Sequence, residues 1–420
     1  MTHYDVIIIG GRPAGASLAM RLADGGMNVL VVDRATFPSK PAVPSMPLVL
    51  PHTIEMLEEI GVGEAAAANA GQKLVRLQLE MAGHYAVEID FAKAMEGDAR
   101  RPYFYSIKRD PFDNALWEHL SNYDTVTAKQ GFGVTKLLHN DSGKVNGIQG
   151  ANGEEHTADV VVGADGRFSF VASQKKAAPF NEVTDHNSDF FFAYWRGGNY
   201  DHEDAIHTMH IYSSNQGYQY LIFPVGDNEF AVSIQTVQGL FEKTPGQSTE
   251  DFYLEKLKLY PTLWNQVKDA ELITQVWGVK NVRNGYREVG GEGWVLVGDA
   301  VHFKDSIDGQ GIYDALLGSK ILAPFLLDWK AGTITWDKLL EDYKAALLEA
   351  TYDMYNETLG RLQREIHASP PEFVLKNVLR RVMEDPTYQK QFVGYATRRI
   401  EPKGWASPGL MLGALMRGIG

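Results

Sequence analysis

The chain has 420 residues, of which 44% are hydrophobic and 22% charged, as in a soluble globular protein large enough for two or three domains. Its net charge of −13 argues against nucleic acid and against an anionic membrane surface as main partners. Cysteine is absent, which excludes disulfides, thiolate nucleophiles and iron–sulfur clusters and fits a cytoplasmic location. No apolar run approaches the roughly 18 residues that a membrane-spanning helix needs, so we expect no membrane partner.

The first predicted element is a strand over Tyr4–Ile9, a β-branched apolar run typical of a strand buried on both faces. A glycine-rich turn leads into a helix, Gly25-Gly26 ends that helix, and a second strand over 29–32 ends at Asp33. Strand, glycine turn, helix, strand and terminal acid form the dinucleotide-binding βαβ unit. In that unit the helix N-terminus faces a pyrophosphate and the carboxylate accepts hydrogen bonds from a ribose. The pattern therefore predicts a site for FAD or NAD(P).

The turn departs from the usual G-x-G-x-x-G pattern at one position. It reads Gly10-Gly11-Arg12-Pro13-Ala14-Gly15, so an arginine stands where the middle glycine normally lets the backbone approach the pyrophosphate. Arg12 must therefore turn its side chain away or use it on a phosphate.

Beyond this unit the predicted elements change character twice. Helices and short strands alternate up to a buried strand over 160–162, after which four strand-like runs follow without an intervening helix. These runs predict an inserted antiparallel sheet and cover 190–195, 207–212, 219–224 and 229–235. Another buried strand and a helix from about 309 to 327 come next, and the pattern from 336 onward is helical. The basic residues of that last part are interpreted as a solvated helical face: Arg380, Arg381, Arg398 and Arg399.

Three motifs occur in order along the chain: the glycine-rich turn, Ala164-Asp165-Gly166 after a buried strand, and Gly298-Asp299-Ala300 after another. Together they resemble the flavoprotein monooxygenases of the para-hydroxybenzoate hydroxylase type. The wider superfamily also holds flavin-dependent halogenases and geranylgeranyl reductases. The resemblance covers most of residues 1–330 and implies FAD as the cofactor, with NAD(P)H as a transient electron donor.

The resemblance also implies an α/β fold in three parts. These are a discontinuous Rossmann-like FAD-binding domain, an inserted antiparallel β-sheet substrate domain and a C-terminal helical region. The FAD-binding domain is predicted to span 1–75, 100–178 and 280–335. The sheet domain is predicted at 76–99 and 179–279, and the helical region at 336–420.

Single residues receive roles from the same resemblance. Asp299 would accept hydrogen bonds from the ribityl chain, and the helix opening at Gly309-Gln310-Gly311-Ile312 would direct its N–H groups at the N1–C2=O edge of the isoalloxazine. Asp165 and Gly166 would serve both FAD and the donor, and Arg109 would reach the phosphates. The cofactor-binding residues implied in this way are Gly10, Arg12, Pro13, Ala14, Gly15, Asp33, Arg34, Ser45, Met46, Arg109, Val134, Asp165, Gly166, Asp299, Ala300, Gly309, Gly311 and Ile312.

Three residues are candidates for a catalytic role. Lys304 and Asp305 follow His302, where many aromatic hydroxylases of this type have Pro-Pro, and in those enzymes the loop sits over the flavin. Asp308 belongs to the same loop and is a further candidate to touch the substrate. The competing interpretation of Lys304, Asp305 and Asp308 is that they form a plain surface loop. His207 lies on the inserted sheet, which forms the substrate wall in relatives.

The histidines do not predict a metal site. His207 and His210 fall on opposite faces of a strand, and no third ligand is evident. His302 is interpreted as a packed structural histidine.

The leading functional hypothesis is an FAD-dependent monooxygenase acting on an aromatic or polycyclic small molecule. By resemblance, NAD(P)H would reduce the flavin and dioxygen would form a C4a-hydroperoxide. A halogenase is one alternative, although no two of the eight tryptophans have the spacing of its Trp-x-Trp-x-Ile-Pro signature. A geranylgeranyl-type reductase, which the absence of cysteine mildly disfavours, and a non-enzymatic flavin sensor are the others. We expect a monomer or a homodimer.

Overall fold

The structure is a computed structural model that describes residues 3–41, 48–97, 101–198 and 205–417. Ser45 and Met46, two of the residues predicted to contact the cofactor, lie outside the described residues. The strands are β1 (His3–Ile9), β2 (Val29–Val32), β3 (Leu48–Val49), β4 (Gly71–Leu74), β5 (Arg76–Met81), β6 (Tyr85–Asp90), β7 (Phe104–Ile107), β8 (Val126–Lys129), β9 (Val134–His139), β10 (Val145–Gly150), β11 (Glu155–Gly163), β12 (Pro179–Gly197), β13 (Thr208–Ser213), β14 (Tyr218–Gly226), β15 (Glu229–Val237), β16 (Ala270–Leu272), β17 (Trp277–Arg287), β18 (Gly290–Gly291), β19 (Trp294–Leu296) and β20 (His302–Phe303). The helices are α1 (Pro13–Asp24), α2 (Pro51–Glu59), α3 (Ala65–Ala68), α4 (Phe91–Ala94), α5 (Arg109–His119), α6 (Phe170–Gln174), α7 (Thr249–Leu257), α8 (Pro261–Val267), α9 (Gly311–Lys330), α10 (Trp336–Arg361), α11 (Glu372–Val374), α12 (Arg380–Glu384), α13 (Pro386–Ala396) and α14 (Pro408–Arg417).

A mostly parallel sheet forms the centre of the α/β part. Its strands lie in the order β18-β19-β11-β1-β2-β8, and β19, β11, β1, β2 and β8 run parallel. The apolar side chains of β2 are fully buried, as expected of a strand covered on both faces. Gly25 follows the last residue of α1. The predicted βαβ unit is therefore confirmed.

The inserted strands build a second sheet that is mainly antiparallel. Strands β12, β15, β14 and β13 pair in that order with antiparallel register, which confirms the four predicted runs. Strands β5 and β6 continue this sheet beyond β13, and β17 and β20 continue it beyond β12. The strand β20 follows the third motif, so the second sheet ends next to the loops of the first.

The two faces of the second sheet pack against different partners. One face packs on the small sheet β3-β7-β4 and on Val393 of α13, and the other packs on α7 and α8. We call the first the inner face. Its large side chains are Phe190, Phe192, Tyr194, Met209, Leu221 and Phe223. The inner face is therefore a largely aromatic wall that faces the small sheet and α13.

The C-terminal part is helical, as predicted. Helix α10 packs on α9, and α14 packs through Ala414 in a cluster with Met354 and Tyr395. Leu412 and Met416 of α14 remain exposed. Within the described ranges, no helix is long and apolar enough to cross a membrane.

His302 lies where the two sheets meet. Strand β20 pairs with β17, and the His302 ring stacks on Tyr286 with centroids 4.4 Å apart and planes 4° from parallel. The residue is buried, and its Nε2 has no hydrogen-bond partner within the described residues. Burial lowers the pKa of His302 to about 4. The interpretation as a packed histidine agrees with this geometry.

The His302→Phe variant should flatten the acid sensitivity of the fold. Because the folded pKa is about 4 and an unfolded histidine titrates near about 6.5, the unfolded state gains its proton first as the pH falls. The stabilising effect of the neutral ring is therefore complete above about pH 6.5 and is lost toward pH 4. Between about pH 7 and about pH 4.5, the stability of the wild type relative to the variant should fall by about 2 kcal/mol. Urea unfolding at the two pH values measures it.

The exposed His139 on β9 provides the control, and His139→Phe should keep the wild-type pH profile. If His302→Phe had the same dependence of stability on pH as the wild type, His302 would not be a buried neutral histidine where the two sheets meet.

Candidate active site

The three motif loops meet at one edge of the central sheet. They follow the carboxyl ends of the adjacent parallel strands β1, β11 and β19. The Ala164 N–H donates to Ile9 O at 2.8 Å. A Cβ built on Gly10 would lie 2.4 Å from Ala164 O, and one on Gly298 would lie 2.8 Å from the Ala14 Cβ. Only glycine allows these loops to approach so closely, and this edge is where open α/β sheets bind their ligands.

Two helices begin at this edge with uncapped N-termini. Helix α1 follows Arg12 and helix α9 follows Gln310, and neither N-cap residue makes a side-chain capping hydrogen bond. A Cβ built on Gly311, the first residue of α9, would meet no atom within 4 Å. Both helices therefore direct N–H groups and positive dipole ends outward, as anionic groups of a cofactor require.

The three motif carboxylates are in different states. Asp33 accepts hydrogen bonds from Gly11 N at 2.9 Å and Ala35 N at 2.8 Å. Asp165 Oδ2 accepts from Phe170 N at 2.6 Å and Val171 N at 3.2 Å at the start of α6, whereas its Oδ1 is buried without a partner among the described residues. Asp165 therefore also caps a helix.

Asp299 makes no side-chain hydrogen bond within the described part of the chain. Burial raises its pKa, and the nearby Arg167 guanidinium opposes that rise. A carboxylate in this state suits hydroxyl donors such as those of a ribityl chain.

Arg12 turns its side chain away from the helix axis. Its guanidinium pairs with Asp113 and donates to Ser39 O at 3.0 Å, Ser39 Oγ at 2.9 Å and Lys40 O at 3.1 Å. Arg109 donates to the same Asp113 carboxylate twice, each time at 3.0 Å. Of the two possibilities left open for Arg12, the structure has the side chain turned away, where it fixes the 39–40 backbone.

The second and third motif loops are held together by two arginines. Arg167 donates to Arg283 O at 2.9 Å and to Lys304 O. Arg287 of β17 donates to Ala300 O and to Arg167 O, both at 2.8 Å. The two guanidinium groups thus bind backbone carbonyls of both loops, and these bonds fix the distance between the loops.

The loop ahead of α9 is buried and carries paired charges. Lys304 Nζ contacts Asp308 and lies 3.0 Å from Asp314 Oδ2, and Arg398 Nη2 lies 3.1 Å from Asp314 Oδ1. We call Lys304, Asp308, Asp314 and Arg398 the charge cluster. Thr358 Oγ1 donates to Asp308 at 2.9 Å. Burial alone would raise the pKa of Asp308, but the Lys304 ammonium lowers it.

These contacts correct two interpretations of the sequence. Lys304, Asp305 and Asp308 are buried, so they do not form a surface loop. Arg398 is not part of a solvated helical face, because its side chain is only 11% exposed and bonds Asp314 and Gln310.

Asp305 joins this loop to the second sheet. Ser188 Oγ of β12 and Gln235 Nε2 of β15 donate to its carboxylate, the latter at 2.6 Å, and Asn284 Oδ1 of β17 accepts from its N–H at 2.6 Å. Burial raises its pKa. Ser188 and Gln235 lie on the inner face, so that face is fixed beside the N-terminus of α9.

The remaining candidates lie in separate places. The contacts of His207 are with β4 and not with the loop ahead of α9. Its Nδ1 lies 2.7 Å from Lys73 O and 3.0 Å from Gln72 Nε2. Arg34 is exposed after Asp33, and Val134 begins β9 two residues after Phe132, whose N–H donates to Asp33 O at 2.8 Å. The other predicted positions lie at the two helix starts or in the motif loops: Pro13, Gly15, Gly166, Ala300, Gly309 and Ile312.

Several residues of the site were missed from the sequence. Asp113 belongs to the Arg109-x-x-Phe-Asp pattern and could have been found there. Arg287, Thr358 and Arg398 have no motif around them, and only the packing of distant segments brings them in. The residues present fit FAD: two uncapped helix starts, a buried unpartnered Asp165 oxygen and the Asp299 carboxylate meet at one edge.

Known proteins are similar to this chain over most of its length. The family model described as "FAD binding domain" matches residues 3–349. A tryptophan 2-halogenase from Chondromyces crocatus is 26% identical over 81% of this chain, and the match spans only 64% of the halogenase's own length. The 6-methylpretetramide 4-monooxygenase of Streptomyces rimosus is 26% identical over 78% of this chain and 76% of its own. A digeranylgeranylglycerophospholipid reductase from Methanosarcina acetivorans is 24% identical over 83% of this chain and 81% of its own.

A solved structure agrees on the fold. The crystal structure of a flavoprotein/dehydrogenase from Cytophaga hutchinsonii superposes with a TM-score of 0.78 at 16% identity, covering 100% of both chains. With the family model extending over most of the sequence and the three motif loops at one sheet edge, this chain belongs to the FAD binding domain family and is an FAD-dependent oxidoreductase.

Proposed function

We propose that the protein is an FAD-dependent monooxygenase that uses NAD(P)H and dioxygen to oxygenate an aromatic or polycyclic small molecule. The observation that carries the proposal is the attachment of the aromatic inner face to the loop ahead of α9. Through Ser188 and Gln235, Asp305 fixes that face beside the helix start proposed to face the flavin. An aromatic substrate would then lie between Phe190 or Phe192 and the flavin, shielded from water.

In this proposal FAD supplies the redox chemistry and the protein supplies position and electrostatics. The α1 N-terminus and Asp33 would hold the pyrophosphate and the adenosine ribose, Asp299 would hold the ribityl chain, and the α9 N-terminus would face the flavin. Lys304 and Asp305 would support the substrate side through their buried contacts. His207 was predicted to lie on the inserted sheet but belongs to the 3-10 turn just before β13, beside β4, so this proposal gives it no catalytic role.

A halogenase is the second candidate, and the match to the tryptophan 2-halogenase favours it. Against it stands the absence of the Trp-x-Trp-x-Ile-Pro signature from the sequence. A reductase is the third candidate, since a reductase also matches most of the chain. The three reactions differ in what enters the product: oxygen, halide or hydrogen.

Isotope labelling should identify the reaction. The flavin-loaded protein is supplied with NADPH or NADH, ¹⁸O₂ and a panel of phenols, indoles and tetracyclic aromatics, with and without bromide. We expect a product that carries one ¹⁸O atom by mass spectrometry and whose yield does not depend on bromide. A bromide-dependent product without the label would instead establish the halogenase, and a saturated product formed without oxygen would establish the reductase.

The Asp299→Asn variant tests the cofactor site itself. Loss of the charged acceptor should weaken FAD binding to the apoprotein by about tenfold or more, as a hydrogen bond to a charged group is worth about 1.5–3 kcal/mol. Binding of ADP, which has no ribityl chain, should not change. Titration followed by flavin fluorescence and calorimetry measures both.

The exposed Asp124→Asn is the matched control and should bind both molecules like the wild type. If the variant lost affinity for FAD and ADP equally, Asp299 would have a structural role. If its affinity for FAD were unchanged, Asp299 would not contact the cofactor.

A further inference from the structure

A cavity of about 440 Å³ opens between the α/β part and the end of the second sheet. Its lining comes from the loop after β2, the start of α5 and the ends of β12, β15 and β16. The lining residues are Lys40, Lys108, Asp110, Tyr194, Arg196, Glu229, Glu271, Leu272, Ile273 and Thr274. The volume is in the lower part of the range of about 300–1,000 Å³ that small-molecule sites occupy.

The cavity adjoins both halves of the candidate active site. Lys40 O accepts a hydrogen bond from Arg12, and Asp110 follows Arg109, which pairs with Asp113. On the other side, Tyr194 belongs to the inner face and its ring meets Phe192 edge-on at 5.0 Å. A ligand in the cavity would therefore reach the aromatic wall.

Part of the charge in the cavity is already neutralised. Glu229 lies 2.8 Å from Lys108 Nζ and 2.6 Å from Arg196 Nη2. Although burial alone would raise the pKa of Glu229, the hydrogen bonds from these two cations lower it. These three residues bind one another and form a polar wall.

Within the described part of the chain, three charged lining residues form no ion pair: Lys40, Asp110 and Glu271, of which Glu271 is exposed. Lys40 Nζ lies over the Tyr194 ring at 5.3 Å and the Trp277 ring at 5.6 Å, and it forms no ion pair. Asp110 Oδ1 has no hydrogen-bond partner. Asp110 and Tyr194 line the same cavity, and burial, followed by the Asp110 carboxylate, raises the pKa of the Tyr194 hydroxyl. The cavity thus offers a ligand one cation, the Asp110 carboxylate with its buried oxygen and aromatic rings, and the exposed Glu271 adds a second carboxylate.

We propose that this cavity binds the head group of an aromatic amino acid, with the ammonium on Asp110, the carboxylate on Lys40 and the ring along Tyr194. A whole dinucleotide fits the observations less well, because the three acidic lining residues oppose its phosphates. The inference rests on the proposed function, since it names the substrate class of that site.

Calorimetric titration of the FAD-loaded protein tests the proposal with four probes. L-Tryptophan carries both charges, tryptamine only the ammonium, 3-indolepropionate only the carboxylate, and indole neither. We expect L-tryptophan to bind about tenfold or more tighter than either singly charged probe, because each charged contact contributes separately.

Two variants assign the charges. Asp110→Asn should weaken L-tryptophan and tryptamine about tenfold and leave 3-indolepropionate unchanged. Lys40→Met should weaken L-tryptophan and 3-indolepropionate about tenfold and leave tryptamine unchanged. The control for lysine is Lys258→Met, because Lys258 also lies over an aromatic ring, Trp264 at 5.2 Å, outside the cavity. The control for aspartate is Asp124→Asn.

The proposal is overturned if L-tryptophan binds no better than indole. It is also overturned if NADPH binds and the two variants weaken NADPH while leaving the amino acid unaffected. The ¹⁸O experiment does not depend on these titrations, so oxygenation of a different aromatic molecule would leave the proposed function standing while removing this inference.

Discussion

The candidate site depends on the pairing of charges that the protein has removed from water. Lys304 lies between Asp308 and Asp314, and Arg398 completes the balance on Asp314. Removing one partner from such a group leaves a buried charge uncompensated, which typically costs about 3–5 kcal/mol. The cluster links the loop ahead of α9, the first turn of α9 and the segment after α13. The position of the α9 N-terminus is thus fixed by four charges from three places in the chain.

This constraint reaches the second sheet through the neighbouring residue. Among the described residues no cation forms an ion pair with Asp305, and its carboxylate instead accepts hydrogen bonds from Ser188, Gln235 and the Ile307 N–H at 2.9 Å. One short loop therefore carries a lysine that pairs with Asp314 of α9 and an aspartate that binds the inner face. Thr358 of α10 and Arg398 bring the C-terminal helices to the same point, so both sheets and these helices meet next to the place proposed for the flavin. Because the same loop holds both sides, the wall and the helix start keep a fixed separation.

The sequence predicted what local patterns determine. The βαβ unit, the three motif loops and the four inserted strands follow from apolar periodicity and glycine spacing, and each is present. The orientation of Arg12 was left open, because it depends on Asp113, which lies 101 residues away. The interpretation of Arg398 as solvated was wrong for the same reason: nothing near it in the sequence indicates Asp314. Buried ion pairs between distant segments leave no periodic pattern, so the part of the site that they build could not be predicted.

The late position of Arg398 has a consequence for biosynthesis. A chain folds from its N-terminus as the ribosome makes it, domain by domain. The strands, the motif loops and α9 are all synthesised before residue 398, yet Asp308 of the loop and Asp314 of α9 share the single ammonium of Lys304 until Arg398 has been made. Until then the uncompensated carboxylate favours a position in water. We therefore expect the α9 end of the site to take its final form only after nearly all of the residues discussed have been synthesised.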